Sequence, residues 1–99
     1  MRVNVIGRHL DITDPIRRYA ESKVERLLRF FDGTQQISVL CQQARHGEFE
    51  VEIVVDVVKH KNFVAHAKAG DLYACIDQAS EKSQRQLKDF KEKLRMSKR

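Results

Sequence analysis

The sequence predicts an α+β fold with the element order β-α-β-β-β-α, a four-stranded mixed sheet carrying two helices on one face. Three observations predict it. Apolar residues recur at helical spacing over residues 16–31 and again over residues 72–94. Between them, Phe49, Val51, Ile53, Val55 and Val57 occupy every second position, the period of a strand with one buried face. Gly7, Pro15, Gly33, Gly47 and Gly70 punctuate the chain where one pattern gives way to the next.

The elements follow in order. Residues 2–8 alternate around Val3 and Val5 and predict a strand that ends near Gly7. Ile12-Thr13-Asp14-Pro15 opens the first helix. Thr13 or Asp14 suits its N-cap, and Pro15 suits its first turn because the missing N–H would be unpaired there. Ile16, Ala20, Val24, Leu27, Leu28 and Phe31 form its apolar stripe, and Asp32-Gly33 is expected to stop it. Ile37, Val39 and Cys41 alternate with Ser38, Leu40 and Gln42 as a second strand, and Arg45-His46-Gly47 makes a turn. The third strand runs over residues 48–58. Its outward side carries Glu48, Glu50, Glu52 and Asp56 with Val54 and Val58, so the free face of the sheet is expected to be acidic and mostly wet.

His60-Lys61-Asn62 turns the chain into a fourth strand over residues 63–69. Phe63, Ala65 and Ala67 share one face there, and the small residues let a helix approach closely. Gly70 ends the strand, and Asp71 caps a second helix reaching to about Arg95, roughly 37 Å at 1.5 Å per residue. Leu72, Ile76, Ala79, Leu87, Phe90 and Leu94 make its apolar face. Ser83 interrupts that face and is expected to bond back to a backbone carbonyl. The first β-α-β unit implies a parallel pair with a right-handed crossover, and hairpins join the other strands. This layering is of the double-stranded-RNA-binding-domain kind.

Composition bounds the function. The chain has 99 residues, enough for a single domain over residues 1–99, with residues 96–99 expected as a flexible basic tail. No apolar run approaches the roughly 20 residues that cross a bilayer, and the N-terminus lacks an apolar signal core, so a cytoplasmic protein is expected. Cys41 and Cys75 form no CxxC pair and are expected to be buried free thiols. The net charge is +5, which favours a polyanionic partner over a membrane or a small-molecule substrate. Residues 82–99 hold eight basic residues against Asp89 and Glu92 alone, whereas residues 33–70 are neutral.

Nothing predicts catalysis or a cofactor. There is no phosphate loop, GxGxxG or GxSxG. No Cys or His pair has zinc spacing, and His9, His46, His60 and His66 read as surface histidines. Lys61-Asn62-Phe63-Val64 lacks the glycine and second aromatic of an RNA-recognition strand. Recognition through phosphates and RNA shape is expected, rather than base stacking. On the first helix Tyr19, Lys23, Arg26 and Phe30 form a stripe beside the core face. On the second, Lys82, Arg85 and Lys93 lie on one flank, and Lys88, Lys91 and Arg95 spread further round. Side-by-side helices would join Lys23 and Arg26 to Lys82 and Arg85 in one patch. The plainer reading is a solvated face laced by Glu81–Arg85 and Asp89–Lys93 pairs at i,i+4.

Gly70-Asp71-Leu72-Tyr73-Ala74-Cys75-Ile76-Asp77, followed by Lys82 and Arg85-Gln86-Leu87, closely resembles the second-helix motif of the ribosome hibernation-promoting factor family, also called ribosome-associated inhibitors or sigma-54 modulation proteins. Ile12-Thr13, Lys23, Arg26 and Phe31-Asp32 resemble its first helix. The resemblance covers nearly the whole chain. It implies a domain that binds 16S ribosomal RNA in the small-subunit channel of idle ribosomes, where it blocks mRNA and the A- and P-site tRNAs; for the free form a monomer is the simpler expectation. It implies ribosomal-RNA contacts for Lys23, Arg26, Lys82, Arg85, Gln86, Lys91 and Lys93, to which the charge pattern adds Lys88. Asp71, Tyr73 and Asp77 match too and read as cap, packing and structural residues. Ala79, Ser80 and Ser83 are smaller than the residues usual in the family. The chain is expected to be the short form, without a dimerisation domain. Two other classes fit the residues: a generic double-stranded-RNA binder, and a protein-contact module modulating a sigma factor through Leu40, Val54, Val58 and Val64.

Overall fold

The computed structural model describes residues 2–30, 34–59 and 62–97. The expected element order is observed: β1 (Arg2–Arg8), α1 (Asp14–Phe30), β2 (Thr34–Gln43), β3 (Phe49–Val57), β4 (Phe63–Ala69) and α2 (Leu72–Ser97). A single 3-10 turn, Arg45–Gly47, joins β2 to β3. Thr13 begins α1: its carbonyl accepts the Arg17 N–H at 2.9 Å, and its hydroxyl lies 3.4 Å from the Ile16 N–H. Asp71 begins α2 as the pattern predicts, its carboxylate accepting the Ala74 N–H at 3.0 Å. The helix then continues through Met96 and Ser97, where the sequence predicts a tail. The helix stop at Phe31-Asp32-Gly33, the His60-Lys61 turn and Lys98-Arg99 fall outside the described residues.

The sheet order is β1-β2-β3-β4, with β1 and β2 parallel and the other pairs antiparallel. Register lines up the inward side chains in rows. Val3, Ile37, Val55 and Phe63 make one, Val5, Val39, Ile53 and Ala65 the next, and Gly7, Cys41, Val51 and Ala67 the third. Helix α1 lies on β1 and β2 through Ala20, Val24 and Leu27. Helix α2 lies on β3 and β4 through Leu72, Cys75, Ile76, Ala79 and Leu87. It returns antiparallel to β4, so Cys75 reaches the Ala67 carbonyl while Phe90, near its far end, meets Phe63. Both cysteines are buried and free, and burial pushes the Cys41 thiol up to about 11 and the Cys75 thiol upward as well.

Three expectations need correction. Ser83 is fully buried on α2, yet its hydroxyl bonds to nothing. The packed layer of β3, β4 and α2 has room for a small side chain there but supplies it no hydrogen bond. The free sheet face is not purely acidic. Register sets Lys68 opposite Glu50 and His66 opposite Glu52, and Arg8 closes the first of these rows through Gln42. His66 and Glu52 are 3.3 Å apart. The acids of β3 thus have basic residues opposite them in the sheet, as cross-strand pairing favours. Phe49, Phe63 and Phe90, read onto buried faces, are half-buried at the rim rather than core, whereas Phe30 lies beside the core face as its stripe predicts.

Long helix side chains also guard both sheet edges. Lys82 donates to the His66 carbonyl at 2.8 Å and Gln86 to the Val64 carbonyl at 2.9 Å, both on edge strand β4. On the other edge, Arg17 reaches the Val5 carbonyl of β1 at 3.4 Å. Occupied edge carbonyls are poor templates for a further strand.

Two substitutions test the packing by urea unfolding. Ser83→Ala removes an unsatisfied buried hydroxyl and is expected to stabilise the domain by about 1 kcal/mol. A Cβ on Gly7 would run into the Leu10 carbonyl and the Ile12 side chain where the chain doubles back. Gly7→Ala is therefore expected to cost about 1–3 kcal/mol.

Candidate nucleic-acid interface

At about 100° per residue, α2 presents three strips outside its core face. Lys82, Gln86, Asp89 and Lys93 fall on the flank toward the β4 edge, in keeping with the Lys82 and Gln86 bonds to β4. Tyr73, Asp77, Lys91 and Arg95 fall on the flank toward α1, with Lys88 a little further round. Arg85 stands on the crest. The opposing strip of α1 is the predicted stripe of Tyr19, Lys23, Arg26 and Phe30.

Where the helices meet, the bonds are specific. The Tyr19 hydroxyl donates to the Asp77 carboxylate at 2.6 Å, and the Lys23 ammonium lies 3.2 Å from the same oxygen. The rings of Tyr19 and Tyr73 meet edge-on at 4.9 Å, and Lys23 stands 5.5 Å from the Tyr19 ring centre. At the other end Lys91 donates to the carbonyl of Phe30, the last residue of α1, and lies 5.0 Å from the Phe30 ring centre. A cation there meets the negative end of the α1 dipole. The Tyr19 hydrogen bond, with Lys23 beside it, holds the Asp77 carboxyl below its ordinary range. The bond to Asp77 also raises the Tyr19 hydroxyl to about 12, helped by burial and the carboxylate charge.

The eight candidate residues thus fall into three settings. Lys23 and Lys91 are bonded into the seam between the helices. Lys82 and Gln86 are bonded to β4 on the far side of α2. Arg26, Arg85, Lys88 and Lys93 are exposed. Among the described residues the ion pairs are Lys23–Asp77 and His66–Glu52, so the Glu81–Arg85 and Asp89–Lys93 pairs do not form. The single patch of Lys23, Arg26, Lys82 and Arg85 is also corrected. The width of α2 separates Lys82 from α1, and the helical period instead brings Lys88 and Lys91 to the side of Lys23 and Arg26. The seam's Tyr19–Asp77 bond spans 58 positions and left no signal in the sequence beyond an acid on a helix flank.

A one-faced β-α-β-β-β-α sandwich with a cationic helix layer defines a class of small basic α+β domains. The chain belongs to the family described as Sigma 54 modulation protein / S30EA ribosomal protein, which matches residues 3–95. A relative from Azotobacter vinelandii named ribosome hibernation promoting factor is 38% identical over 93 residues, covering 94% of this chain and 85% of that protein. One from Escherichia coli with the same name is 31% identical, covering 96% and 98%. Among solved structures, the N-terminal domain of Thermus thermophilus Protein Y superposes with a TM-score of 0.79 at 36% identity, covering 91% of this chain and 99% of that one. A ribosomal subunit interface protein from Coxiella burnetii shares the fold, with a TM-score of 0.83 at 23% identity over 92% and 98%.

The seam gives a pH signature. Asp77 holds its proton less tightly in the folded state, so its stabilisation is present at neutral pH and is lost as pH falls below the ordinary carboxyl value of 3.8. Tyr19 holds its proton more tightly, so its stabilisation is present below pH 10 and is lost as pH rises toward about 12. Tyr19→Phe is expected to flatten both limbs of a plot of unfolding midpoint against pH, leaving the neutral fold intact by circular dichroism.

Proposed function

We propose that this protein is a ribosome hibernation factor, whose single domain binds the small ribosomal subunit and blocks translation by occupancy. The observation that carries the reading is the cationic helix layer. Arg26, Arg85, Lys88 and Lys93 stand exposed without carboxylate partners among the described residues, in a chain whose relatives are named for ribosome hibernation. Unpaired surface cations spread along two helices suit a phosphate backbone. Each neutralised phosphate releases counterions and strengthens binding at low salt. The finer reading places the domain on 16S ribosomal RNA in the channel of mRNA and the A- and P-site tRNAs. Lys23, Lys82, Gln86 and Lys91 lie among the RNA-binding residues, and their bonds within the protein fix where their remaining donors point. The mechanism is steric, and the working compartment is the cytoplasm. The free form is a monomer with guarded sheet edges.

A second reading is favoured by the free sheet face. Ile6 and Val64 are 47% and 42% exposed there, and Leu40 and Val54 lie between them on the same face. A protein contact with a sigma factor would use that face and not the helices. Recovery of sigma factor without ribosomal RNA in a pull-down would support it.

Arg85→Glu with Lys88→Glu tests the main reading, because neither side chain is bonded to another among the described residues. In sedimentation with small subunits the double variant is expected to bind on the order of tenfold or more weakly. Its slope of log K against log salt should be shallower by about 0.7–0.9 for each phosphate left without its cation. Unchanged affinity in the folded variant would remove the helix layer as the interface.

A further inference from the structure

We infer that Asp77, an acid set in the cationic helix layer, is a positioning residue for RNA binding: its carboxylate holds the Lys23 ammonium between the helices, ready to meet a phosphate. The inference rests on the RNA-binding reading above and adds to it a residue that acts through Lys23 and not on the RNA itself.

Lys23, Lys82 and Lys91 have internal partners, and each partner is what its surroundings supply. Lys91 donates to the Phe30 carbonyl, which is free because Phe30 ends α1. Lys82 donates to the His66 carbonyl on edge strand β4. Lys23 lies within α1 and faces the interior of α2, where backbone carbonyls are taken up by the helix's own hydrogen bonds. A side chain must hold an ammonium there, and the Asp77 carboxylate does so at 3.2 Å. The Tyr19 hydroxyl donates to the same oxygen at 2.6 Å, and the Tyr19 ring centre lies 5.5 Å from the ammonium. The ammonium is thus located by a carboxylate and by an aromatic ring, both of which attract a cation.

Stability alone does not account for a charged group at this point. The side chains of Lys23 and Asp77 are 34% and 36% exposed, and an ion pair so open to water adds little to folding. An asparagine would also accept the Tyr19 hydrogen bond. It would spare the layer a negative charge, which opposes every phosphate nearby. What the carboxylate adds over an amide is its hold on the Lys23 ammonium. A lysine free in solvent gives up side-chain freedom when it binds, and one held in place beforehand gives up less. An ammonium has three donors, so the held one keeps two for a phosphate. The same exposure that weakens the pair as a fold contact leaves those donors within reach of RNA.

The test is sedimentation of the intact protein with small ribosomal subunits over a range of salt, for wild type, Asp77→Asn, Lys23→Met and the double variant. Asp77→Asn makes the protein more positive, so charge alone requires it to bind more tightly. Positioning requires the opposite: binding weaker by about threefold or more, with a slope of log K against log salt shallower by up to about 0.7–0.9 as one phosphate loses its cation. In the Lys23→Met background there is no ammonium to hold, so adding Asp77→Asn is expected to leave binding unchanged or to tighten it. A contact that matters only to the seam weakens binding in both backgrounds alike. That result, or unchanged or tighter binding by Asp77→Asn alone, would overturn the inference. A second measurement needs no variant. NMR relaxation of the lysine ammonium groups in the free protein is expected to find Lys23 more restrained than Lys88, and equal mobility sinks the inference whatever the variants do. Wild type that fails to sediment with subunits removes the ribosome reading and this inference with it. Wild-type binding that survives Asp77→Asn removes the role of Asp77 and leaves the ribosome reading standing.

Discussion

The rest of the structure depends on the way α2 lies along edge strand β4. Two long elements joined by two residues can pack closely antiparallel only if facing side chains along the contact are small. Ala65 and Ala67 on the strand and Ala79 and Ser83 on the helix meet that requirement. Asp71 fixes the start of the helix, and everything downstream follows at 1.5 Å per residue. Cys75 falls over Ala67, Lys82 beside His66, Gln86 beside Val64, and Phe90 against Phe63. The buried, unbonded hydroxyl of Ser83 is a cost of this close approach.

That placement sorts the cations. A helix with its core face on the sheet has one flank toward the neighbouring helix and one toward the sheet edge. Residues that look like one basic run in the sequence are therefore divided among different tasks. Lys91 closes the carbonyl end of α1, and Lys23 neutralises Asp77 between the helices. Lys82 guards an edge carbonyl, while Arg85, Lys88 and Lys93 have no internal partner among the described residues. Cationic and structural roles coexist because a lysine ammonium has three donors and one internal bond leaves two. The opposite face of the sheet carries both signs of charge, so the cationic side of the molecule is its helix layer.

Much of the fold was legible in the sequence. The alternation of Phe49 to Val57 and the Thr13 and Asp71 caps each reflect a local rule, and each lies where the rule puts it. Relations between distant residues were not legible. The period of α1 puts Tyr19, Lys23 and Arg26 on one flank, and there they lie, but the group facing them is Asp77 and not Lys82 with Arg85. Periodicity gives the angle of a side chain about its own helix and says nothing of which neighbour lies on that side. The expectation of an acidic free sheet face is incomplete for the same reason. It follows from β3 alone, and the register that brings in Lys68, His66 and Arg8 is a tertiary property. The rim position of Phe63 and Phe90 is hidden because half-burial and full burial leave the same pattern.

The proposed docking of the helix layer on the small ribosomal subunit, where mRNA and tRNA would lie, is open to direct measurement. Its most direct test is sedimentation of the purified protein with small subunits at low and moderate salt, alone and with mRNA and tRNA prebound. Co-migration that weakens with salt and is displaced by the prebound mRNA and tRNA is expected. A folded protein that fails to co-migrate at either salt, or that binds equally well beside mRNA and tRNA, would contradict it.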